Sequence, residues 1–174
     1  MEIILAENHG FCYGVKRAVE MANEAADGKG KSYTLGPIIH NPQVVGRLES
    51  KGVSPIQEVA DIDEGTMIIR SHGVGPAIYA EAEEKGLHIL DATCPHVKKA
   101  QQDAKSVIED GMTLVILGEK NHPEVKSINL WANNKGIIIE DEESAQKLQI
   151  VEKMGVVVQT TFSQFKFNSI IEIL

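Results

Sequence analysis

Cysteine, basic charge and long apolar runs are all scarce in this 174-residue sequence, and each shortage closes a class of function. Two cysteines, Cys12 and Cys94, are too few for the disulfide framework of a small secreted domain and suit a reducing, cytoplasmic setting. With 17 basic residues against 25 acidic ones the net charge is −8, so a dedicated nucleic-acid binder, which relies on basic surface to displace counterions, is not expected. No apolar run approaches the length of a membrane span, and Met1-Glu2-Ile3-Ile4-Leu5-Ala6-Glu7 lacks the basic region and long apolar core of a signal peptide. What remains, 43% hydrophobic and 24% charged, is a globular composition long enough for one ordinary domain or two small ones.

Short apolar runs predict strands at Glu2 to Ala6, Ser32 to Leu35, Thr66 to Arg70, Leu87 to Leu90, Thr113 to Leu117, Gly136 to Ile139 and Gly155 to Val158. Between most of them the apolar period lengthens to that of a helix. Val15, Ala18, Val19, Ala22 and Ala26 share one face, as do Val97, Ala100, Ala104, Val107 and Ile108, and the two stripes stop near Gly28 and Gly111. Shorter helices are expected around Val44 to Leu48, from Pro76 to Lys85, after Pro123 and from Glu142 to Leu148. Apolar strands that need cover on both faces fit a mainly parallel sheet with helical crossovers, so the fold class is α/β, built from small three-layer sandwiches. A change of module near Asp91 to Pro95 divides the chain into residues 1–92 and 93–174. The segment Phe165 to Leu174 reads as a helix that ends on apolar residues with no closing Gly, Lys or Arg.

The reactive residues recur at one kind of place, where an expected strand gives way to a helix. These places are Gly10-Phe11-Cys12-Tyr13-Gly14, Ile39-His40-Asn41-Pro42, Ser71-His72-Gly73, Thr93-Cys94-Pro95-His96, Asn121-His122-Pro123-Glu124 and Gln159-Thr160-Thr161. Pro42, Pro76, Pro95 and Pro123 mark first helical turns, where proline's fixed φ and missing N–H carry no penalty. Ligands of open parallel sheets bind at such carboxyl ends of strands, and helix N-termini there favour anions.

Each residue also has a plainer use. A free cysteine is often a small core residue, but two in matching positions before helices suit thiolate ligands. A lone histidine is usually a surface or satisfied polar group, whereas His40, His72 and His122 in three matching positions suit phosphate binding. Glu124 can stabilise its own first helical turn or transfer a proton, and Thr160 and Thr161 can cap the last helix or face the cleft. His9 and His96 flank the cysteines and can support them. Lys16, Arg17, Lys98 and Lys99 read as a solvated helix face. No close Cys or His pair has zinc-finger spacing, and two cysteines alone do not hold an iron-sulfur cluster securely.

Taken in order, these motifs closely resemble the 4-hydroxy-3-methylbut-2-enyl diphosphate reductases over nearly the whole sequence. The resemblance implies a trefoil of three small α/β modules around a 4Fe-4S cluster held by three cysteines, two of them Cys12 and Cys94. It implies that His40, His72, His122 and Thr161 bind an allylic diphosphate, that Glu124 is the proton donor, and that Thr160 orients substrate and relays that proton. Ferredoxin or flavodoxin would deliver two electrons. The family's third cysteine lies after the Thr-Thr motif, so this chain is expected to carry two modules and to be catalytically silent, or nearly so, by itself. Residues Met1 to Phe11 are expected to belong with the third module. The alternatives are a diphosphate-binding module without redox chemistry and a zinc-dependent hydrolase using Cys12, Cys94 and one histidine.

Overall fold

The structure, a computed structural model, describes residues 2–7, 9–28, 30–149 and 152–174. Helix α1 (Tyr13–Asp27) leads into β1 (Ser32–Leu35), α2 (Pro42–Ser50), β2 (Val53–Ile56), a 3-10 turn (Val59–Asp61), β3 (Thr66–Ile69), α3 (Pro76–Glu84) and β4 (His88–Asp91). These four strands form one parallel sheet in the order β2-β1-β3-β4. The chain then continues through α4 (Pro95–Glu109), β5 (Thr113–Leu117), α5 (Pro123–Trp131), β6 (Ile137–Ile139), α6 (Glu142–Gln146), β7 (Met154–Val158) and α7 (Gln164–Ile173). Its three strands make a second parallel sheet, β6-β5-β7. No helix among the described residues is long and apolar enough to cross a membrane.

Each sheet is the middle of three layers because its central strands are apolar on both faces. In β3, Ile68 faces Ala18, Ala22, Val44 and Leu48 of α1 and α2, while Met67 and Ile69 face the side of Val59, Ala82 and Leu87. In β5, Leu114 and Ile116 meet Ala100, Ala104, Val125 and Ile128 of α4 and α5, while Val115 and Leu117 meet Ala145 and Ile170 of α6 and α7. The α1 and α4 stripes therefore bury the residues that their period singles out. Gly111 ends α4 with φ +72°, the left-handed cap expected. Gly28 differs: it leaves α1 extended at φ −77°.

Two expectations need correction. Residues 2–6 form no strand, and Ile3, Ile4 and Leu5 are 75–83% exposed. A strand is stable only when its backbone groups find a partner, and none is offered to this run by the described residues. Met1 and Asn8 of the Met1–Phe11 segment lie outside the described residues. Conversely, Val53–Ile56 is a strand that the pattern does not announce, because Pro55 interrupts it. It pairs only with β1 at the sheet edge, where proline's missing N–H breaks no ladder.

Candidate functional site

In the first sheet the connections from β1 and β3 leave in opposite directions, α2 toward β2 and α3 toward β4, which opens a crevice at their carboxyl ends. In the second sheet α5 follows β5 toward β6 on one face, while α7 follows β7 on the other. Five of the six motifs follow a strand and precede a helix; the Cys12 motif precedes α1 with no strand before it among the described residues.

The two sheets are joined by α5. Ser127 Oγ donates 2.9 Å to the His72 carbonyl and receives Gln101 Nε2 at 3.1 Å, and Trp131 Nε1 donates to the Val74 carbonyl at 2.9 Å. Gly75 allows the close approach, since a Cβ there would lie 2.8 Å from Leu130. This docking brings together three imidazoles from three different strand ends. Each of His40, His72 and His122 offers a ring nitrogen within 4.8 Å of the others, with ring centroids 4.7 to 6.2 Å apart.

The imidazoles are not equivalent. His40 is exposed, whereas His72 is half-buried and its Nδ1 has no hydrogen-bond partner. Burial, with His40, His122 and Arg70 close by, pushes His72 down to about 4, so it is neutral near pH 7. His122 caps α5 by accepting from the Glu124 N–H at 3.2 Å.

Glu124, in the first turn of α5, is 2% exposed and both its oxygens are engaged. Oε1 accepts from the Thr160 N–H at 2.6 Å and Oε2 from the Thr160 hydroxyl at 2.8 Å. Gln159 supports this pair: its Oε1 accepts from the Glu119 N–H at 2.9 Å and its Nε2 donates to Thr161 Oγ1 at 2.8 Å. Ser163, not Thr160 or Thr161, caps α7. The two hydroxyls are thereby left for the cleft and for Glu124.

Cys12 and Cys94 are the N-cap residues of α1 and α4, and neither sulfur makes a capping bond. Cys12 is exposed and Cys94 half-exposed. The two helix starts are neighbours, because a Cβ at Gly14 would sit 2.5 Å from Cys94 Sγ. Two uncommitted thiols at adjacent helix N-termini, where negative charge is favoured, fit two ligands of a metal-sulfur group. Neither thiol joins the three histidines in a common cluster among the described residues, so the ligand set of the zinc alternative is not brought together.

Several supporting residues carry no readable motif. Arg17, expected on a solvated face, reaches the carbonyls of Thr93 at 3.3 Å and Asp91 at 3.5 Å and so ties α1 to the loop that ends in Cys94. Lys98 pairs with Asp91 at 2.7 Å, and Asp91 also accepts from Tyr79 and the Thr93 N–H at 2.9 Å. Burial pushes the Asp91 carboxyl up, but these partners outweigh it and hold it below the usual range. Neither expected helper acts on a thiol: His9 Nδ1 lies 2.8 Å from the Ala6 carbonyl, and His96 is exposed without a hydrogen bond among the described residues. Lys16 and Lys99 do sit on solvated faces, each beside an acidic residue one turn on.

Known proteins share this sequence and this shape. The chain is 48% identical over 172 residues to the 4-hydroxy-3-methylbut-2-enyl diphosphate reductase of Geotalea uraniireducens, covering 99% of this chain and 61% of that protein. It is 50% identical to the reductase of the same description from Geobacter metallireducens, covering 94% of this chain and 58% of that one. A solved structure of (E)-4-hydroxy-3-methyl-but-2-enyl diphosphate reductase, the terminal enzyme of the non-mevalonate pathway, superposes with a TM-score of 0.87 at 45% identity over 98% of this chain and 63% of its own. The Plasmodium falciparum reductase gives a TM-score of 0.91 at 32% identity, covering 97% of this chain and 54% of its own. The chain thus spans about three-fifths of the length of these curated relatives. With the family model for LytB protein matching residues 3–174, almost the entire sequence, the chain belongs to the LytB family.

Proposed function

We propose that these residues form the diphosphate-binding and proton-donating part of a reductase that removes the allylic hydroxyl of 4-hydroxy-3-methylbut-2-enyl diphosphate, giving isopentenyl and dimethylallyl diphosphates. The observation that carries the reading is the meeting of three imidazoles beside the Glu124–Thr160 pair. In the overall reaction the C–O bond breaks, the hydroxyl leaves as water with one proton, and two electrons and a second proton make a C–H bond. When bound, a 4Fe-4S cluster supplies the electrons, delivered by ferredoxin or flavodoxin, and a Lewis acid for the leaving oxygen. Cys12 and Cys94 are two of its ligands.

The chain's own residues do the rest. His40, His72 and His122, with Thr161, hold the diphosphate, so that binding energy far from the reacting carbon positions the hydroxyl. Glu124 gives the leaving oxygen its proton. With both Glu124 oxygens accepting from Thr160, protonation of the carboxyl turns the Thr160 hydroxyl round to accept. That reversible hydroxyl is the relay. Residues 1–92 and 93–174 act as two of three modules, residues 1–11 belonging with the third, and a cytoplasmic setting keeps both thiols reduced. Two cysteines leave the chain, alone, without the full ligand set, and it turns over substrate little or not at all.

Calorimetry with inorganic diphosphate tests the site. Binding is expected, and near pH 6 it should take up protons, because a bound anion raises the pKa of His72. Absence of binding, or binding untouched by His72→Asn and His122→Asn together, overturns the reading. Iron and sulfide analysis of anaerobically prepared protein tests the rest: a full cluster with turnover sinks the claim of an incomplete ligand set. Because three clustered imidazoles can also hold zinc, one equivalent of tightly bound zinc at the histidines would favour a metal-dependent hydrolase instead.

A further inference from the structure

A cavity of about 360 Å³ lies at the carboxyl ends of β1 and β3, against α5. Its walls include Gly36, Arg70, Gly73, Lys126 and Leu130, and none of the three clustered histidines, Glu124, Thr160 or either cysteine lines it. No carboxylate lines it either, although the chain as a whole carries a net charge of −8.

Arg70 is the informative wall residue. Its Nε is buried without a hydrogen-bond partner, and no other Arg70 nitrogen donates to an acceptor among the described residues. No acidic group within ion-pair reach of Arg70 or Lys126 is found there either. A guanidinium has five donors and stays charged in proteins, and buried polar groups are otherwise almost always paired. The side chain is nonetheless held in place. Gly36, at φ +71°, lies so close that a Cβ there would approach Arg70 Nη1 to 2.8 Å. An L side chain at Gly36 would be strained in that conformation and would also displace the guanidinium. Opposite, Lys126 projects from the exposed side of α5, while Leu35, Val74, Ile78 and Leu130 add an apolar wall.

We propose that this cavity is a second anion site, separate from the imidazole cluster, which takes a small phosphomonoester whose phosphate meets Arg70 and Lys126 and whose short apolar body rests on the aliphatic wall. The guanidinium fork matches two phosphate oxygens, and the ammonium adds the second positive charge that a dianion requires. A few placed polar groups on an otherwise apolar wall are the usual make-up of a small-molecule site, and the volume falls in the usual range. The site does not depend on the reductase reading, since it shares no side chain with the histidine cluster, Glu124 or Thr160.

The test is an NMR titration of this 174-residue protein with n-butyl phosphate, alongside butyrate and inorganic phosphate. Saturable shifts at Gly36, Gly75 and the Arg70 Nε–H are expected, with butyl phosphate binding at least tenfold tighter than either comparison ligand. Lys126→Met and Arg70→Met should each weaken that binding tenfold or more, and Lys126→Met should leave inorganic diphosphate affinity at the histidines unchanged. Lys126 is exposed, so its variant keeps the test valid even if Arg70→Met fails to fold. Shifts confined to the His40, His72 and His122 loops, equal affinity in the Lys126 variant, or a preference for butyrate would each overturn the proposal. Failure of diphosphate to bind the imidazoles would leave it standing.

Discussion

The Glu124 end and the cysteine end of the cleft use the same device, a helix start beside a strand end or loop, yet they are finished to different degrees. At the Glu124 end both carboxylate oxygens are satisfied by Thr160, Gln159 braces the following turn, and the Glu124 and Gln159 side chains are buried. At the cysteine end both sulfurs are uncommitted, Phe11 and Tyr13 are exposed beside Cys12, and Ile3 to Leu5 stand in solvent. The acid-handling half is therefore self-supporting, and the thiol half is shaped for groups that the described residues do not supply.

Substitutions can break this contrast. Glu124→Ala removes a buried carboxylate and the two charge-assisted hydrogen bonds it accepts from Thr160, and should cost about 3 kcal/mol, read by urea denaturation. A loss below about 1 kcal/mol would show that the pair is not load-sharing. Next, Gly14→Ala forces a methyl against Cys94 Sγ and should cost about 1–3 kcal/mol, with Cys94→Ala in the same chain restoring most of it. No rescue would mean that the two helix starts are not in contact.

The pH dependence sharpens the comparison on the acid-handling side. His72 titrates near 4 when folded and near 6.5 when unfolded, so between those values the unfolded chain binds more protons. Stability attributable to His72 is complete above about 6.5 and declines as pH falls toward about 4. Thermal denaturation at pH 7 and pH 5 should show a smaller drop in His72→Asn than in the parent; equal drops would contradict the burial argument. The smallest effect belongs to Cys12→Ala, which should change stability by less than about 0.5 kcal/mol, because its exposed sulfur makes no capping bond. It should nevertheless abolish any retained iron.

Much of the fold and site could be read in the residues because the signals are local. Proline at Pro42, Pro76, Pro95 and Pro123 marks four helix starts, and the period of α1 and α4 names their buried faces. The edge strand with Pro55 was hidden because tolerance of proline depends on which neighbour a strand has. The Glu2 to Ala6 run misled for the complementary reason: apolar residues propose a strand, but pairing makes one. Arg17 and Ser127 gave no signal, since their partners are backbone carbonyls distant in sequence.

The order of residues alone settled the α/β class, the helix starts and the kinds of side chain set at each strand end, since period, capping and proline geometry act within a turn or two of the chain. Packing settled which ends meet. The strand orders place His40 beside His72, the docking of α5 adds His122, and the distance between β5 and β7 lets Thr160 reach Glu124. Those meetings, and the unpaired state of Arg70, depend on contacts between residues far apart in sequence, which no local pattern encodes.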